Sequence, residues 1–177
     1  MRTFIAIELP SSTRDELKKI QEKFKANPGV SANFVNPENL HLTLKFLGEI
    51  PEEKVEQIKK LKIDFKKFKV NLGKVGVFPS LNYIRILWVS LEPGFLIKDL
   101  HDKIEEILQA KKDVKFESHI TLARIKNLKS TKDFLKEMKN TKVNNKEFEV
   151  GSIVLKKSTL EPGKLPVYEN LFVFEGN

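Results

Sequence analysis

The sequence predicts an α+β fold, with mainly antiparallel sheets and helices packed against them. Three observations predict it: runs in which apolar and polar residues alternate, amphipathic stretches with helical spacing, and a segment His-x-Thr-Leu that occurs at residues 41–44 and again at 119–122. Neighbouring strand patterns are joined by short turns, which favours antiparallel pairing. The repeated segment also indicates that the two halves of the chain arose by duplication.

The first half reads as strands separated by two helices. RTFIAIELP alternates and predicts a strand, SSTRDELKKIQEKFKA predicts a helix, and VSANFV and HLTLKFLG predict two strands around a turn at NPEN. Pro51 is expected to open a helix that continues to about Ile63. KVNLGKVGVFP and YIRILWVSL then predict two strands joined by a turn at residues 80–82.

The second half repeats the alternation of helix and strand. EPGFLIKDLHDKIEEILQA has an apolar stripe and predicts a helix, and KFESHITLARI predicts the strand that carries the second repeat. STKDFLKEMKN predicts a short helix capped by Ser130 or Thr131. The remaining segments, EFEVGSIVLKKSTL and PVYENLFVFEG, predict two or three further strands.

Composition excludes several classes of site and partner. The chain has no cysteine, which rules out disulfides, thiolate nucleophiles and cysteine zinc sites. It has no run of roughly 18 apolar residues, so we expect no membrane-spanning segment and a cytoplasmic location. Lys and Arg exceed Asp and Glu by 32 − 24 = 8. This excess fits either a surface for nucleic acid or solvated helix faces, and composition does not decide between them.

The repeated segment arranges its side chains by strand alternation. Side chains two positions apart on a strand share one face and lie about 6 to 7 Å apart, so His41 and Thr43 should point together, as should His119 and Thr121. The opposite, core-facing side is then predicted to consist of Leu42, Leu44 and Phe46 in the first strand, and of Ile120 and Leu122 in the second.

Two histidines that share a cleft can divide the work of moving protons. Near neutral pH one imidazole can accept a proton while the other donates one, and threonine hydroxyls can hold the non-bridging oxygens of a phosphate. This combination fits displacement at phosphorus without a metal ion. A metal site is the competing reading, although neither repeat carries a second ligand at a usual spacing, and no G-x-S-x-G segment supports a serine hydrolase.

The third histidine, His101, lies in the predicted helix KDLHDKIEE. It has no threonine two residues later and therefore does not repeat the pattern. We expect it on the surface or on a helix face and assign it no role.

The landmarks together resemble a known family. RTFIAIELP, NLHLTLKFLGEI, VGVFP with RILW, SHITLARI and LKKSTLEPGKLPVYE are similar, in this order, to the two-histidine phosphoesterase superfamily, and within it to the RNA 2′,3′-cyclic phosphodiesterases, also called 2′-5′ RNA ligases. The resemblance implies a single bilobal domain over residues 1–177, with two pseudo-symmetric lobes around a central cleft. Each lobe would contribute one His-x-Thr-Leu strand to that cleft.

The resemblance also implies an activity and its residues. The expected reaction is hydrolysis of a terminal 2′,3′-cyclic phosphate on RNA to a 2′-phosphate, by a monomer without metal or cofactor; tRNA is one candidate source of such ends. His41 would be the proton donor and His119 the proton acceptor, with Thr43 and Thr121 on the phosphate and Arg124 binding the substrate. Three alternatives stay open: 2′-5′ ligation, hydrolysis of another cyclic or 2′-5′ phosphodiester, and RNA binding without catalysis.

Two of the residues taken from the resemblance conflict with simple patterns. Strict alternation places Arg124 on the face opposite His119, so it reaches the cleft only if the strand ends, twists or bulges there. Phe4 resembles the family's N-terminal Phe and could stack on a base, but a core position is the stronger expectation for one of thirteen phenylalanines.

Overall fold

The computed structural model describes residues 1–177 as four α-helices and nine strands. The helices are α1 (Ser11–Lys25), α2 (Glu52–Lys59), α3 (Gly94–Leu108) and α4 (Thr131–Asn140). The strands are β1 (Arg2–Glu8), β2 (Val30–Phe34), β3 (His41–Glu49), β4 (Phe68–Ser80), β5 (Tyr83–Glu92), β6 (His119–Leu128), β7 (Phe148–Val150), β8 (Ser152–Thr159) and β9 (Val167–Glu175).

All nine strands join one sheet. Eight of them follow the order β7-β4-β5-β6-β3-β1-β8-β9, and the ninth, β2, pairs with the part of β6 that follows its pairing with β3. Every pairing is antiparallel, so the predicted α+β class with a mainly antiparallel sheet is confirmed. The strands β3 and β6, which carry the two repeats, are neighbours at the centre of the sheet. They are paired at one position, Leu42 with Ile120.

The two halves are related by an approximate two-fold arrangement around that pair. The run β8-β1-β3 corresponds to β4-β5-β6, and each half inserts a helix after its first inner strand, α1 after β1 and α3 after β5. Each helix then contacts the histidine strand of the other half: Gln21 of α1 bonds to β6, and His101 of α3 bonds to β3. The division of residues 1–177 into two lobes stays a prediction.

A single apolar core lies behind the histidine strands. Leu42, Leu44, Ile120 and Leu122 belong to a cluster of 32 buried residues. Burial of this apolar surface is the main favourable contribution to folding. It also fixes which face of β3 and β6 is left for chemistry.

Two local predictions have different outcomes. Ser130 caps α4 as expected, because its hydroxyl accepts a hydrogen bond of 3.1 Å from the Asp133 amide. Helix α2 ends at Lys59, so its expected continuation to Ile63 is wrong. After the helix the chain buries Ile63 and Phe65, and the Phe65 carbonyl accepts a bond from the amide of Asn177.

None of the four helices is long and apolar enough to cross a membrane.

Candidate active site

The pairing of β3 with β6 brings the two repeats side by side. Leu42 and Ile120 are fully buried on the core face, so the residues that flank them point to the other face. Extended by one residue in each direction, this antiparallel register places His41 toward Thr121 and Thr43 toward His119. Two imidazoles and two hydroxyls therefore share one surface, with the histidines on a diagonal.

The same backbone contact orients both rings. Nδ1 of His41 lies 2.6 Å from the Asn39 carbonyl oxygen, and Nδ1 of His119 lies 2.7 Å from the Glu117 carbonyl oxygen. A carbonyl oxygen only accepts, so each Nδ1 carries the hydrogen and donates. Each Nε2 is left to exchange a proton, and that of His41 is 3.1 Å from the Thr43 hydroxyl.

Partial burial affects the protonation of both histidines. Burial lowers the pKa of His41, and the Asn39 carbonyl partly offsets this effect; Lys156 lowers this pKa further and Glu8 raises it. Burial likewise lowers the pKa of His119, while the carbonyl and the carboxylate of Glu117 raise it. The unliganded site therefore favours neutral imidazoles near pH 7, and a bound phosphate anion would favour protonation of one of them.

A β-bulge follows the threonine in each repeat. In β3, Thr43 pairs with Ala6 but Lys45 pairs with Ile5, so Leu44 is an extra residue. In β6, Thr121 pairs with Trp88 but Ala123 pairs with Leu87, so Leu122 is the extra residue, at the equivalent position. A bulge places two consecutive side chains on the same side and reverses the alternation beyond it.

The bulges change where Arg124 and Phe46 point. Arg124 is exposed, and it lies close enough to the Tyr168 phenol to lower that group's pKa, against the raising effect of burial. Strict alternation would place Arg124 on the face opposite His119. The bulge at Leu122 reverses the alternation and turns Arg124 to the histidine face. The predicted core position of Phe46 is wrong for the same reason: Phe46 is 63% exposed, and the buried neighbour after the bulge is Lys45.

Different aromatic rings surround the two histidines. His41 stacks on Phe4 with ring centroids 5.0 Å apart and meets Tyr168 edge-on at 5.3 Å. His119 meets Phe78 edge-on at 5.0 Å and Trp88 at 6.3 Å. The expected burial of Phe4 is confirmed, since only 2% of the residue is exposed and it has no free face for a base. It is buried against His41, however, and lies outside the cluster of 32 core residues.

A charged group also adjoins His41. The Glu8 carboxylate accepts a hydrogen bond of 2.7 Å from Arg14 and pairs with the Lys156 ammonium. Glu8 stands opposite His41 in the register of β1 and β3, whereas Ser90 stands opposite His119 in β5. The first imidazole thus has an ion-pair network beside it, and the second has a hydroxyl residue at the equivalent place.

Of the two positions expected for the third histidine, the helix face is confirmed and the surface is wrong, because His101 lies on the buried face of α3. His101 is 1% exposed and stacks on Phe116 with centroids 4.1 Å apart. His101, Asp102 and Glu105 form a group with the composition of a metal site. The ammonium of Lys45, however, lies 2.5 Å from Glu105 and already supplies a positive charge there, so a metal ion would have to displace a buried lysine.

Sequence reasoning missed several neighbours of the two histidines. Tyr168, Trp88 and Lys156 come from strands far away in the chain, and no spacing relative to the repeats indicates them. His101 could have been found. It stands four residues after Ile97 and three before Ile104, both fully buried, and therefore lies on the apolar stripe of its helix.

Comparison with known proteins agrees with this architecture. The family described as LigT like Phosphoesterase matches residues 7–88 and 92–167. A protein of Methanocaldococcus jannaschii named RNA 2′,3′-cyclic phosphodiesterase is 38% identical, over 96% of this chain and 97% of the relative. One of Archaeoglobus fulgidus with the same name is 35% identical, over 99% of this chain and 100% of the relative.

Solved structures show the same fold. TT0787 of Thermus thermophilus superposes with a TM-score of 0.72 at 29% identity, covering 99% of this chain and 97% of that one. LigT of E. coli in apo form superposes with a TM-score of 0.74 at 22% identity, covering 99% and 96% of the two chains.

Proposed function

This chain belongs to the LigT-like phosphoesterase family, and on that premise we propose that it hydrolyses the terminal 2′,3′-cyclic phosphate of RNA to a 2′-phosphate without a metal ion. The observation that carries the proposal is the pairing of Leu42 with Ile120, since it sets two imidazoles and two hydroxyls around one small surface. The names of the curated relatives supply the substrate.

The proposed chemistry is an in-line displacement at phosphorus. Nε2 of His119 takes a proton from a water molecule, whose oxygen forms the new bond to phosphorus. The bond from phosphorus to the 3′ oxygen breaks, and Nε2 of His41 gives its proton to that oxygen. The 2′ ester bond is retained, so the product is a 2′-phosphate, and solvent resets the two imidazoles.

The remaining polar groups have the character needed to bind the phosphate. Thr43 and Thr121 donate hydrogen bonds to the non-bridging oxygens, on which negative charge grows in the transition state. Arg124 binds the phosphate or the adjoining nucleotide through its guanidinium. Its exposure and its proximity to Tyr168 support this role.

Product analysis in the absence of metal tests the proposal. Purified protein and an RNA with a 2′,3′-cyclic phosphate end are incubated in EDTA, and the terminal nucleotide is released and identified. We expect a 2′-phosphate, together with loss of turnover in His41→Ala and His119→Ala. A 3′-phosphate, or turnover that persists in both variants, would overturn the assignment.

The same assay separates the alternatives. If a 5′-hydroxyl replaces water, the identical steps produce a 2′-5′ linkage, so an added RNA with a 5′-hydroxyl end reports ligation. A binding protein without catalysis would bind RNA in every variant and produce no phosphate monoester. A tRNA source of the ends, a monomeric state and a cytoplasmic location remain predictions.

A further inference from the structure

The carbonyl of each bulged leucine accepts a hydrogen bond from a buried side chain of the opposite half. Nδ1 of His101 in α3 lies 2.7 Å from the Leu44 oxygen, and Nε2 of Gln21 in α1 donates to the Leu122 oxygen at 2.9 Å. Leu44 and Leu122 are equivalent under the two-fold arrangement. The two halves have therefore reached the same contact with different chemical groups.

Both donors are buried where apolar side chains would otherwise pack. Gln21 is 0% exposed and His101 is 1% exposed, and each belongs to a helix whose other buried residues are mostly apolar. Burying a polar group is unfavourable unless it is hydrogen-bonded, so each of these side chains needs a hydrogen-bond partner that offsets the cost of its burial. That partner is in each case the one residue that the bulge adds to a histidine strand.

The amide nitrogen of Gln21 is suited to its position, whereas its buried oxygen has no hydrogen-bond partner. The nitrogen donates to the Val35 oxygen at 2.7 Å as well as to the Leu122 oxygen. Two acceptors converge on one nitrogen that carries two hydrogens, which no hydroxyl can match. The contact ties β6 to the segment that follows β2.

His101 connects β3 to the loop that leads into the second histidine strand, residues 109–118. Its ring stacks on Phe116 of this loop. The next residue, Glu117, provides the carbonyl that orients His119. One buried imidazole is thus linked to the backbone of both repeats.

Lys45 extends this link. It is the buried residue beside Leu44 in the bulge, and its ammonium lies 2.8 Å from Asp113 and 2.7 Å from the Lys111 carbonyl, both in the 109–118 loop. Its other partner is Glu105 of α3, whose carboxylate accepts a bond of 2.8 Å from the Asp113 amide. The bulge of β3, helix α3 and the loop before His119 therefore form one hydrogen-bonded unit.

We propose that His101 and Gln21 are positioning residues of the active site: each holds the carbonyl of one bulged leucine and so fixes the direction of the histidine and threonine before it. This inference rests on the proposed function. Neither residue touches the substrate. Displacing a catalytic group by about 1 Å can cost on the order of 10²-fold in rate, so a small release of a bulge is enough to matter.

Two replacements of His101 differ in the atom they retain. Asn carries its amide nitrogen near the place of Nδ1 and can still donate to Leu44, whereas Gln carries it near the place of Nε2 and cannot. We expect His101→Gln to lower kcat by about 10-fold to 10²-fold with little change in KM, and His101→Asn to stay within about 3-fold of the wild type. Gln21→Met, of similar length and without a donor, should lower kcat by a similar factor.

Matched controls remove buried groups from the same helices without touching a bulge. Ile97→Val in α3 and Ile20→Val in α1 each remove one buried methylene. They should lower the melting temperature and leave kcat unchanged when it is measured well below that temperature. If His101→Gln behaves like Ile97→Val, its role is structural and the proposal is overturned.

A spectroscopic measurement keeps the test independent of catalysis. The chain has three histidines, so its imidazole ¹H–¹⁵N spectrum contains three sets of signals. In His101→Gln the signals of His41 should shift, and in His101→Asn they should match the wild type, because only Asn retains the bond to Leu44. The signals of His119 should shift in both variants, since both lose the ring that stacks on Phe116. Unchanged signals of His41 in His101→Gln would refute positioning. If the wild type shows no turnover in the cyclic phosphate assay while the histidine signals still shift in His101→Gln, the proposed function is refuted and the positioning role is retained.

Discussion

The strands β3 and β6 have nearly the same backbone and different surroundings. In both, Nδ1 of the histidine donates to the carbonyl two residues earlier, and in both an extra leucine follows the threonine. The second residue after each bulged leucine differs, since Phe46 occupies in β3 the place that Arg124 occupies in β6. Repetition of the backbone thus provides two imidazoles in equivalent settings, and the side chains around them can make the two ends of the cleft unequal.

The neighbouring strands show a second difference. Opposite Thr43 stands Ala6, beside Val154, whereas opposite Thr121 stands Trp88, beside Gly76. The small side chain of Ala6 thus has the larger Val154 as its neighbour, whereas the large side chain of Trp88 has a glycine, Gly76. Only the second site therefore places an indole near its histidine.

The largest expected effect separates the roles of the two histidines. We expect His41→Ala and His119→Ala each to lower kcat by about 10² to 10⁴, because each removes a general acid or base. A substrate with sulfur in place of the bridging 3′ oxygen has a leaving group that needs no proton. With it, His41→Ala should recover most of its rate and His119→Ala should not.

Single-turnover rates of both variants on both substrates provide the measurement. Recovery by His119→Ala instead would show that the two roles are exchanged. Recovery by neither would mean that His41 acts in some way other than as the proton donor.

The next effect concerns Arg124 and Phe46, which stand second after the bulged leucines. We expect Arg124→Ala to lower kcat/KM by about 10-fold to 10²-fold, as for loss of a hydrogen bond to a charged group, and Phe46→Ala to change it by less than about 3-fold. The loss in Arg124→Ala should shrink as salt rises, since an exposed charge is screened. Equal effects of the two replacements, measured over a range of salt concentrations, would contradict the assigned difference between the ends of the cleft.

Part of this comparison was available from the sequence. The His-x-Thr-Leu spacing was enough to predict which side chains share a face up to residues 43 and 121, because alternation is set by the strand backbone alone. The spacing was not enough to predict which face Phe46 lies on. That face depends on the bulge at Leu44, and the bulge arises because β3 has one residue more than its partner strand β1 at this point. Tyr168 was equally out of reach, because its contact with His41 depends on the order of strands in the sheet.

A smaller effect should appear in the pH dependence. Activity needs one neutral and one protonated imidazole, so we expect a bell-shaped profile of kcat/KM against pH. Glu8 raises the pKa of His41 and Glu117 raises that of His119. Removing either charge, in Glu8→Gln or Glu117→Gln, should lower the pKa of the histidine beside it, so in each variant one limb moves to lower pH.

The two variants should move different limbs. If both move the same limb, or if the wild type shows a single limb, then one of the histidines does not titrate in the reaction. Glu117→Gln leaves the carbonyl that orients His119 in place, so its effect reports charge and not ring direction.

The smallest expected effect tests the packing difference between the two sites. A Cβ on Gly76 would lie 2.2 Å from the Trp88 ring, so Gly76→Ala must push the indole away, toward or past His119. We expect it to lower the free energy of unfolding by about 1 to 3 kcal/mol, as overpacking does, and to lower kcat by less than about 10-fold. Gly151→Ala is the control, because a Cβ there meets nothing nearer than 3.8 Å. Trp88 is the only tryptophan, so its fluorescence reports the displacement directly, and an emission spectrum unchanged in Gly76→Ala would show that Trp88 does not depend on the missing side chain.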